Sequence, residues 1–101
     1  PEINIINWVD IIDVDMIINA TSVGLNESEK LDIDIKSFGE NKFFYDVIYN
    51  PKETNFLKLG KKLGNDTANG KMMFIYQAAA AFKIWHGVIP EINAELLKLL
   101  D

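Results

Sequence analysis

The sequence predicts an α/β domain built on a parallel sheet. An unbroken apolar and aromatic run extends from Phe43 to Tyr49, contains one acid, and stops at Asn50 and Pro51. A run without alternation indicates a strand covered on both faces, as in the parallel sheets of α/β domains. Strand-like and helix-like segments also alternate along the chain, which favours the same class. Three predicted strands are few for a doubly wound domain, so we expect the domain to be incomplete.

The segments before this run are predicted in less detail. Residues 1–14 fit either a short strand or the end of a preceding unit. Residues 15–21 predict a short buried strand, and Gly24 follows it, where the backbone turns freely. Residues 25–42 form a long polar connection. Within it, apolar and acidic residues alternate over 31–35, which predicts either a short edge strand or an anchored loop.

A helix is predicted directly after the run. Thr54 is a good N-cap, and Gly64 lies where a helix C-terminus favours glycine. One helical face carries four residues at the required spacing: Phe56, Leu59, Gly60 and Leu63. Residues 65–69 then form a short linker or strand, which ends at the turn-forming pair Asn69 and Gly70.

The second predicted helix spans residues 72–86 and ends at Gly87. Four consecutive alanines, 78–81, favour helix, and the segment is apolar nearly all round. We therefore expect burial on most sides. A chain of 101 residues has little bulk to provide it, which suggests a missing partner domain or a second subunit. Pro90 is predicted in the first turn of a last helix. Its apolar stripe comprises Ile92, Leu96, Leu99 and Leu100.

Composition excludes several classes of protein. The chain is 49% apolar and 25% charged, and it carries a net charge of −5. Its ten basic residues are all lysine and do not cluster, so nucleic acid is a poor partner. There is no cysteine for a disulfide or a thiolate metal site. The longest apolar stretch is too short to cross a membrane, and no signal peptide is visible, so we expect a cytoplasmic protein.

Few residues suggest chemistry on their own. His86 is the only histidine and lies at a predicted helix C-terminus, where histidine has a common structural role. The acids are scattered, and no metal site is expected from them. Polar groups follow the strands at Asn19 and Tyr49, and Gln77 is the only polar residue between Met72 and Phe82. Convergent polar groups beside an apolar surface indicate either a ligand site or ordinary structural bonding.

Three motifs, in order, resemble those of shikimate dehydrogenases. They are Asn19 to Gly24, Tyr45 to Thr54, and Asn69 to Phe82, and the match extends over roughly residues 15–92. The resemblance implies the later half of a Rossmann-like parallel sheet with flanking helices. Residues 1–101 would be a C-terminal fragment of the NADP-binding domain, with strand and helix units over 15–70 and closing helices over 72–101.

The resemblance also implies an activity and a set of ligand contacts. The family interconverts 3-dehydroshikimate and shikimate with NADP, in the pathway to chorismate and the aromatic amino acids. Tyr49 and Gln77 would contact shikimate, and Gln77 lies on a helix that packs toward the N-terminal substrate domain. The positions implied in cofactor binding are Asn19, Ala20, Thr21, Ser22, Val47 and Gly70. Where the family often has glycine, this chain has Met72.

The catalytic residues of the family fall outside this chain. Its glycine-rich loop and its Lys–Asp pair match positions upstream of Pro1, so we expect no catalytic residue here and an inactive fragment. One alternative is a relative that uses quinate or prefers NAD. Another is a non-enzymatic module that assembles through helix 72–86. A truncated sheet exposes an edge, so we also expect a homo-oligomer or a swapped dimer.

Overall fold

The computed structural model describes residues 2–7, 10, 13–26, 28 and 34–99. They form a parallel three-stranded sheet in the order β1-β2-β3, with β2 in the centre. The strands are β1 (Met16–Asn19), β2 (Phe43–Asp46) and β3 (Asp66–Ala68). The helices are α1 (Asn55–Lys62), α2 (Lys71–His86) and α3 (Ala94–Lys98). The predicted α/β class, parallel sheet and order of elements are confirmed.

The register of the sheet brings two polar residues side by side. β1 and β2 pair with Met16 opposite Phe43 and with Asn19 opposite Asp46. On the other side of β2, Tyr45 lies opposite Ala68. Because the strands are parallel, their carboxyl ends meet at one edge of the sheet, so Asn19 and Asp46 become neighbours there.

Helix α1 covers one face of the sheet and forms the main core with it. Phe44 is fully buried, and its ring centroid lies 5.0 Å from that of Phe56. Gly60 lets the helix approach closely, because a Cβ at that position would lie 2.6 Å from the Phe44 ring. Ile35 and Leu57 complete the buried cluster. The apolar face predicted for this helix is therefore the face that packs on the strands.

The predicted ends of α1 are also confirmed. The Thr54 side chain accepts a hydrogen bond from the Leu57 backbone N–H at 3.3 Å, which is an N-cap contact. At the other end Gly64 has a φ of +91°, the left-handed conformation that favours glycine after a helix.

Two of the three predicted strands are longer than the observed ones. The run from Phe43 was expected to remain a strand to Tyr49, but β2 ends at Asp46. The Asp46 carboxylate accepts a hydrogen bond from the Ile48 backbone N–H at 3.0 Å, which turns the chain out of the sheet. The strand predicted over 15–21 is confined to β1. It is also not buried throughout, since Met16 and Ile18 are about half exposed on the edge strand.

The connection between β1 and β2 is an anchored loop where the structure describes it. Residues Ile35–Phe38 form a 3₁₀ turn, and the buried Ile35 side chain fixes this turn to the core. The rest of the alternation, residues 31–33, lies outside the described residues. Of the two possibilities for residues 1–14, a strand is not observed among residues 2–7, 10, 13 and 14.

Helix α2 has the predicted extent and is largely uncovered in this chain. It ends at Gly87, whose φ is +73°, and the His86 ring packs against Phe82 at 4.4 Å between centroids in the last turn. Ile75 is its one buried residue, whereas Ile84 and Trp85 are exposed. The described residues of this chain leave most of the helix uncovered, so its burial against a partner domain or a second subunit stays a prediction.

Helix α3 begins later than predicted. Pro90 lies before the helix, and Asn93 is the N-cap, its side chain accepting a hydrogen bond from the Leu96 N–H at 2.9 Å. An asparagine cap requires extended backbone at its own position, which places the helix start after it. Leu100 lies outside the described residues. The residues preceding α3 instead help to line an apolar groove of 340 Å³ against α2.

None of the helices described over these residues is both long and apolar enough to cross a membrane.

Candidate functional site

A buried polar network occupies the carboxyl ends of β1 and β2. Asn19, Asp46 and Thr54 are 2%, 0% and 1% exposed. One Asp46 carboxylate oxygen accepts from Asn19 Nδ2 at 3.2 Å and from Thr54 Oγ1 at 2.7 Å. The other oxygen accepts the Ile48 N–H. Within the described residues, every buried side-chain nitrogen and oxygen has a hydrogen-bond partner. In this network, each buried polar atom therefore has a protein partner that replaces the water it loses on burial.

The turn after β1 is organised by Asn19. Its amide nitrogen donates to the Val23 carbonyl at 3.0 Å, and its amide oxygen accepts from the Thr21 N–H and hydroxyl at 3.1 and 2.6 Å. The Thr21 hydroxyl in turn accepts from the Val23 N–H at 3.2 Å. Ala20, Thr21 and Ser22 remain exposed. The side chain of Asn19 thus holds the turn from inside, and the three residues after it face outward.

Val47 and Gly70 lie directly against each other. The Val47 N–H donates to the Asn19 carbonyl, and the Gly70 N–H donates to the Ile48 carbonyl, both at 3.1 Å. A Cβ at Gly70 would lie 1.9 Å from the Val47 carbonyl oxygen, so no other residue fits without moving the backbone. The structure therefore brings together Asn19, Val47 and Gly70, which were predicted separately from three motifs.

Tyr49 reaches helix α2. Its ring packs on Phe74 with 4.6 Å between ring centroids, and it is half-buried. Gln77 lies one turn further along the same helix and is exposed. Residues three apart on a helix lie on one face, so Gln77 projects from the side of α2 that Tyr49 contacts. Because the Gln77 amide faces solvent in this chain, it needs no buried protein partner.

An ion pair lies at the opposite end of the sheet from the buried polar network. Lys42, just before β2, forms an ion pair with Asp13 at 2.9 Å. The hydrogen bond from Lys42 and its positive charge lower the pKa of Asp13 below the usual 3.8. Among the described residues, no three acids or histidines gather into a possible metal site. The candidate site is thus built from backbone groups, amides, hydroxyls and apolar surface, which can bind and orient a ligand.

Two residues of the network were not recognised as such from the sequence. Asp46 was noted only as the single acid in an apolar run, and Thr54 only as a helix cap. The acid itself was the available signal, because a carboxylate is almost never fully buried unless it is paired. Its partners could not be read from the sequence, since Asn19 is 27 residues away.

Comparisons with known proteins agree on one family. The family model of the shikimate 5'-dehydrogenase C-terminal domain matches residues 73–94. A shikimate dehydrogenase (NADP(+)) of Pelagibacter ubique is 60% identical over the whole chain, which spans 38% of that relative. A crystal structure of a shikimate dehydrogenase in complex with NADP+ superposes with a TM-score of 0.72 and 44% identity. It aligns with 86% of this chain, which covers 30% of that protein.

A related specificity is also represented among the solved structures. A quinate dehydrogenase from Corynebacterium glutamicum, in complex with NAD, has a TM-score of 0.68 and 30% identity. Its alignment includes 85% of this chain and 29% of the quinate dehydrogenase. The fold is therefore shared by proteins that are named for different substrates and whose structures hold different cofactors.

The fold and the site together identify the class of domain to which the chain corresponds. A parallel sheet with polar turns at its carboxyl ends and flanking helices is the later half of a Rossmann-like domain. The sequence then defines the relatives: the chain matches the C-terminal part of shikimate dehydrogenases, with 60% identity over its whole length to one of them. It spans about a third of the length of the relatives that it matches.

Proposed function

We propose that this chain is the C-terminal part of an NADP-dependent shikimate dehydrogenase, which interconverts 3-dehydroshikimate and shikimate. Residues 15–70 form strand and helix units of the NADP-binding domain, and residues 72–101 form its closing helices. The observation that carries the proposal is the meeting of Asn19, Val47 and Gly70 at one edge of the sheet. It occurs in a chain 60% identical, over its full length, to an enzyme of that name.

The residues present fit a nicotinamide cofactor. The exposed turn residues 20–22 offer backbone and hydroxyl groups, and the half-buried Val47 side chain offers an apolar surface of the kind that a flat ring packs on. Gly70 brings its backbone beside Val47 without a side chain in the way. The bound cofactor supplies or accepts the hydride. Asn19, Ala20, Thr21, Ser22, Val47 and Gly70 hold and orient it.

Tyr49 and Gln77 supply the substrate contacts in this proposal. A phenol hydroxyl and a primary amide donate and accept hydrogen bonds, which suits a ligand rich in hydroxyl groups with one carboxylate. Tyr49 is oriented by its ring contact with Phe74, and Gln77 is accessible on the same side of α2. Both groups position the substrate in this proposal and take no part in the proton transfer. The catalytic Lys–Asp pair belongs to the upstream part of the enzyme, together with the substrate domain.

The test is the activity of the full-length protein that contains this chain. We expect NADP+ reduction that depends on shikimate, and no turnover by residues 1–101 alone. Turnover by the purified, mass-verified 101-residue chain would contradict the placement of the catalytic pair. A folded full-length protein without shikimate-dependent NADP+ reduction would contradict the proposed function.

The same assay separates the related specificities. We expect shikimate with NADP+ to give the highest kcat/KM among the four combinations with quinate and NAD+. A higher kcat/KM with quinate or with NAD+ would instead favour the alternative of a relative that uses quinate or prefers NAD. The non-enzymatic module is not favoured, because the relatives are named as enzymes. The cytoplasmic location expected from the sequence stays a prediction, which cell fractionation would test.

We also propose that the 101-residue chain, when isolated, self-associates through α2. Ile84 and Trp85 are 81% and 76% exposed, and the neighbouring Val88 and Ile89 are exposed as well. Contiguous apolar surface of this kind drives association in water. We expect a mass above the monomer by light scattering, and a shift toward monomer for the double variant Ile84→Lys, Trp85→Lys. A monomeric mass for the unmodified chain at high concentration would contradict this.

A further inference from the structure

We propose that Asp46 is a positioning residue for the proposed dehydrogenase reaction. Its buried carboxylate fixes the turn after β1 and the turn after β2 relative to each other. The first turn carries residues 20–22, and the second carries Val47 and Tyr49. The inference rests on the proposed function, because it concerns how the cofactor and substrate contacts of that reaction are held in place.

The carboxylate joins three separate segments of the chain. It accepts from Asn19 Nδ2 at the end of β1, from the Ile48 N–H beyond β2, and from Thr54 Oγ1 at the start of α1. All three contacts lie between 2.7 and 3.2 Å. With no exposed surface, Asp46 has no water to replace a lost donor. Each segment is therefore tied to the others through one side chain.

The pattern of donors requires an acid at this position. All three partners donate, and a carboxylate accepts at both oxygens, whereas an amide must present an NH₂ at one of them. In Asp46→Asn, an NH₂ on one side would face the Ile48 N–H. On the other side it would face the Asn19 NH₂, whose second hydrogen already bonds the Val23 carbonyl. Either orientation of the new amide leaves donors opposed.

The bond from Ile48 determines where the proposed contact residues point. It turns the chain out of the sheet after Asp46, so Val47 meets Gly70 and Tyr49 meets Phe74. The Val47 N–H remains bonded to the Asn19 carbonyl. A change at Asp46 therefore reaches both turns, although Asp46 itself is sealed from any ligand.

The cost of burying the Asp46 carboxylate also favours a positioning role over a role in stabilising the core. Burying a charged group is an inefficient way to stabilise a core, because its desolvation offsets much of the hydrogen bonding. An apolar side chain of similar size would fill this space. The carboxylate is instead suited to fix the geometry of three polar segments, as buried networks do when every member is satisfied.

The test uses the full-length protein that contains this chain. We expect Asp46→Asn and Thr54→Val to raise the KM for NADP+ and for shikimate by about tenfold, the effect of losing one buried bond. Thr54→Ser keeps the hydroxyl and should keep both KM values. Gly60→Ala is the matched control, because its Cβ strains the contact with Phe44 in the core, away from both turns. It should lower the melting temperature while leaving both KM values unchanged.

The outcomes distinguish the two levels of the proposal. A loss of folded protein lowers the maximal rate in proportion and does not change KM. Wild-type KM values in both Asp46→Asn and Thr54→Val would therefore overturn the positioning role. If Asp46→Asn does not fold, the contrast between Thr54→Val and Thr54→Ser decides in its place. A folded wild-type protein without activity would overturn the proposed function, and this inference with it.

Discussion

Gly70 shows how a single residue can join two motifs that lie far apart in the sequence. Its φ of −84° is open to any residue, so the requirement for glycine comes from contact and not from backbone conformation. The contact is with the Val47 carbonyl oxygen, a backbone atom that cannot rotate away. The sequence identified both positions through a family resemblance, but the contact between them required the fold.

We expect Gly70→Ala to be among the most destabilising alanine substitutions at a glycine of this chain. Overpacking of this kind costs about 3 kcal/mol, because backbone must shift to admit the methyl group. Gly87→Ala is the matched control. It is in the left-handed conformation, with a φ of +73°, and no atom lies within 4 Å of its Cβ, so it carries only the conformational cost of about 1–2 kcal/mol. Equal losses in urea unfolding would contradict the backbone contact.

The ion pair of Asp13 with Lys42 makes a pH-dependent contribution to stability. The pKa of Asp13 is lowered in the folded chain, by the hydrogen bond to Lys42 and then by its charge. The contribution is therefore complete above the unfolded pKa, near 3.8, and is lost as the pH falls through the lowered folded value. Asp13 is fully exposed, so the contribution is small and decreases further with added salt.

We expect Lys42→Met to return the pKa of Asp13 to its ordinary value, as followed by the carboxyl carbon shift during a pH titration. Lys58→Met, on the exposed face of α1, serves as the control and should leave that pKa low. A low pKa of Asp13 in Lys42→Met would show that another group causes the shift.

At the scale of elements, the sequence predicted the order and type but not every end. The ends of α1 were predicted because Thr54 and Gly64 act locally on the helix. The end of β2 was not, because the apolar run continues to Tyr49 while the Asp46 side chain diverts the backbone. The sequence offers two local signals for the start of α3. Proline is common in a first turn, which favoured Pro90 in the prediction, whereas the observed helix begins after the Asn93 cap.

Asn65 connects elements in a way that the sequence did not suggest. It is buried, and its amide nitrogen donates to the Gly39 and Gly60 carbonyls, both at 3.0 Å. Its amide oxygen accepts the Lys42 N–H at 2.8 Å. One side chain thus joins the loop before β2, the start of β2 and the last turn of α1, directly before β3 begins.

We expect Asn65→Ala to lower the free energy of unfolding by about 2–3 kcal/mol, since three backbone groups lose their partner and at least one stays buried. Asn69→Ala is the control. Its amide bonds two backbone groups instead of three, and one of these bonds is exposed, so water replaces part of the loss. Chemical denaturation compares the two variants. A loss at Asn65 no larger than that at Asn69 would contradict a connecting role.

The whole molecule is less compact than its length allows. The Cα radius of gyration is 16.0 Å, whereas a compact domain of 100 residues has about 13 Å. Residues 2–7 are exposed, and α2 leaves most of its apolar surface uncovered. An incomplete domain was predicted from the sequence, because three strands are few for a doubly wound domain. The chain also has too few residues to cover so apolar a helix. Which residues would remain exposed could be seen only once the helix was placed.

The open side of β1 has a consequence for the exchange of amide hydrogens. Asp15 and Asn19 direct their carbonyls toward β2, so by alternation the N–H groups of Met16 and Ile18 point away from it. No described strand pairs on that side. We expect these two amides to exchange with deuterium rapidly in the 101-residue chain, and those of Phe44 and Tyr45 in the central strand slowly. In the full-length protein, slow exchange at Met16 and Ile18 would show that another strand has joined the sheet there, so two labelled amides would report whether the domain is complete.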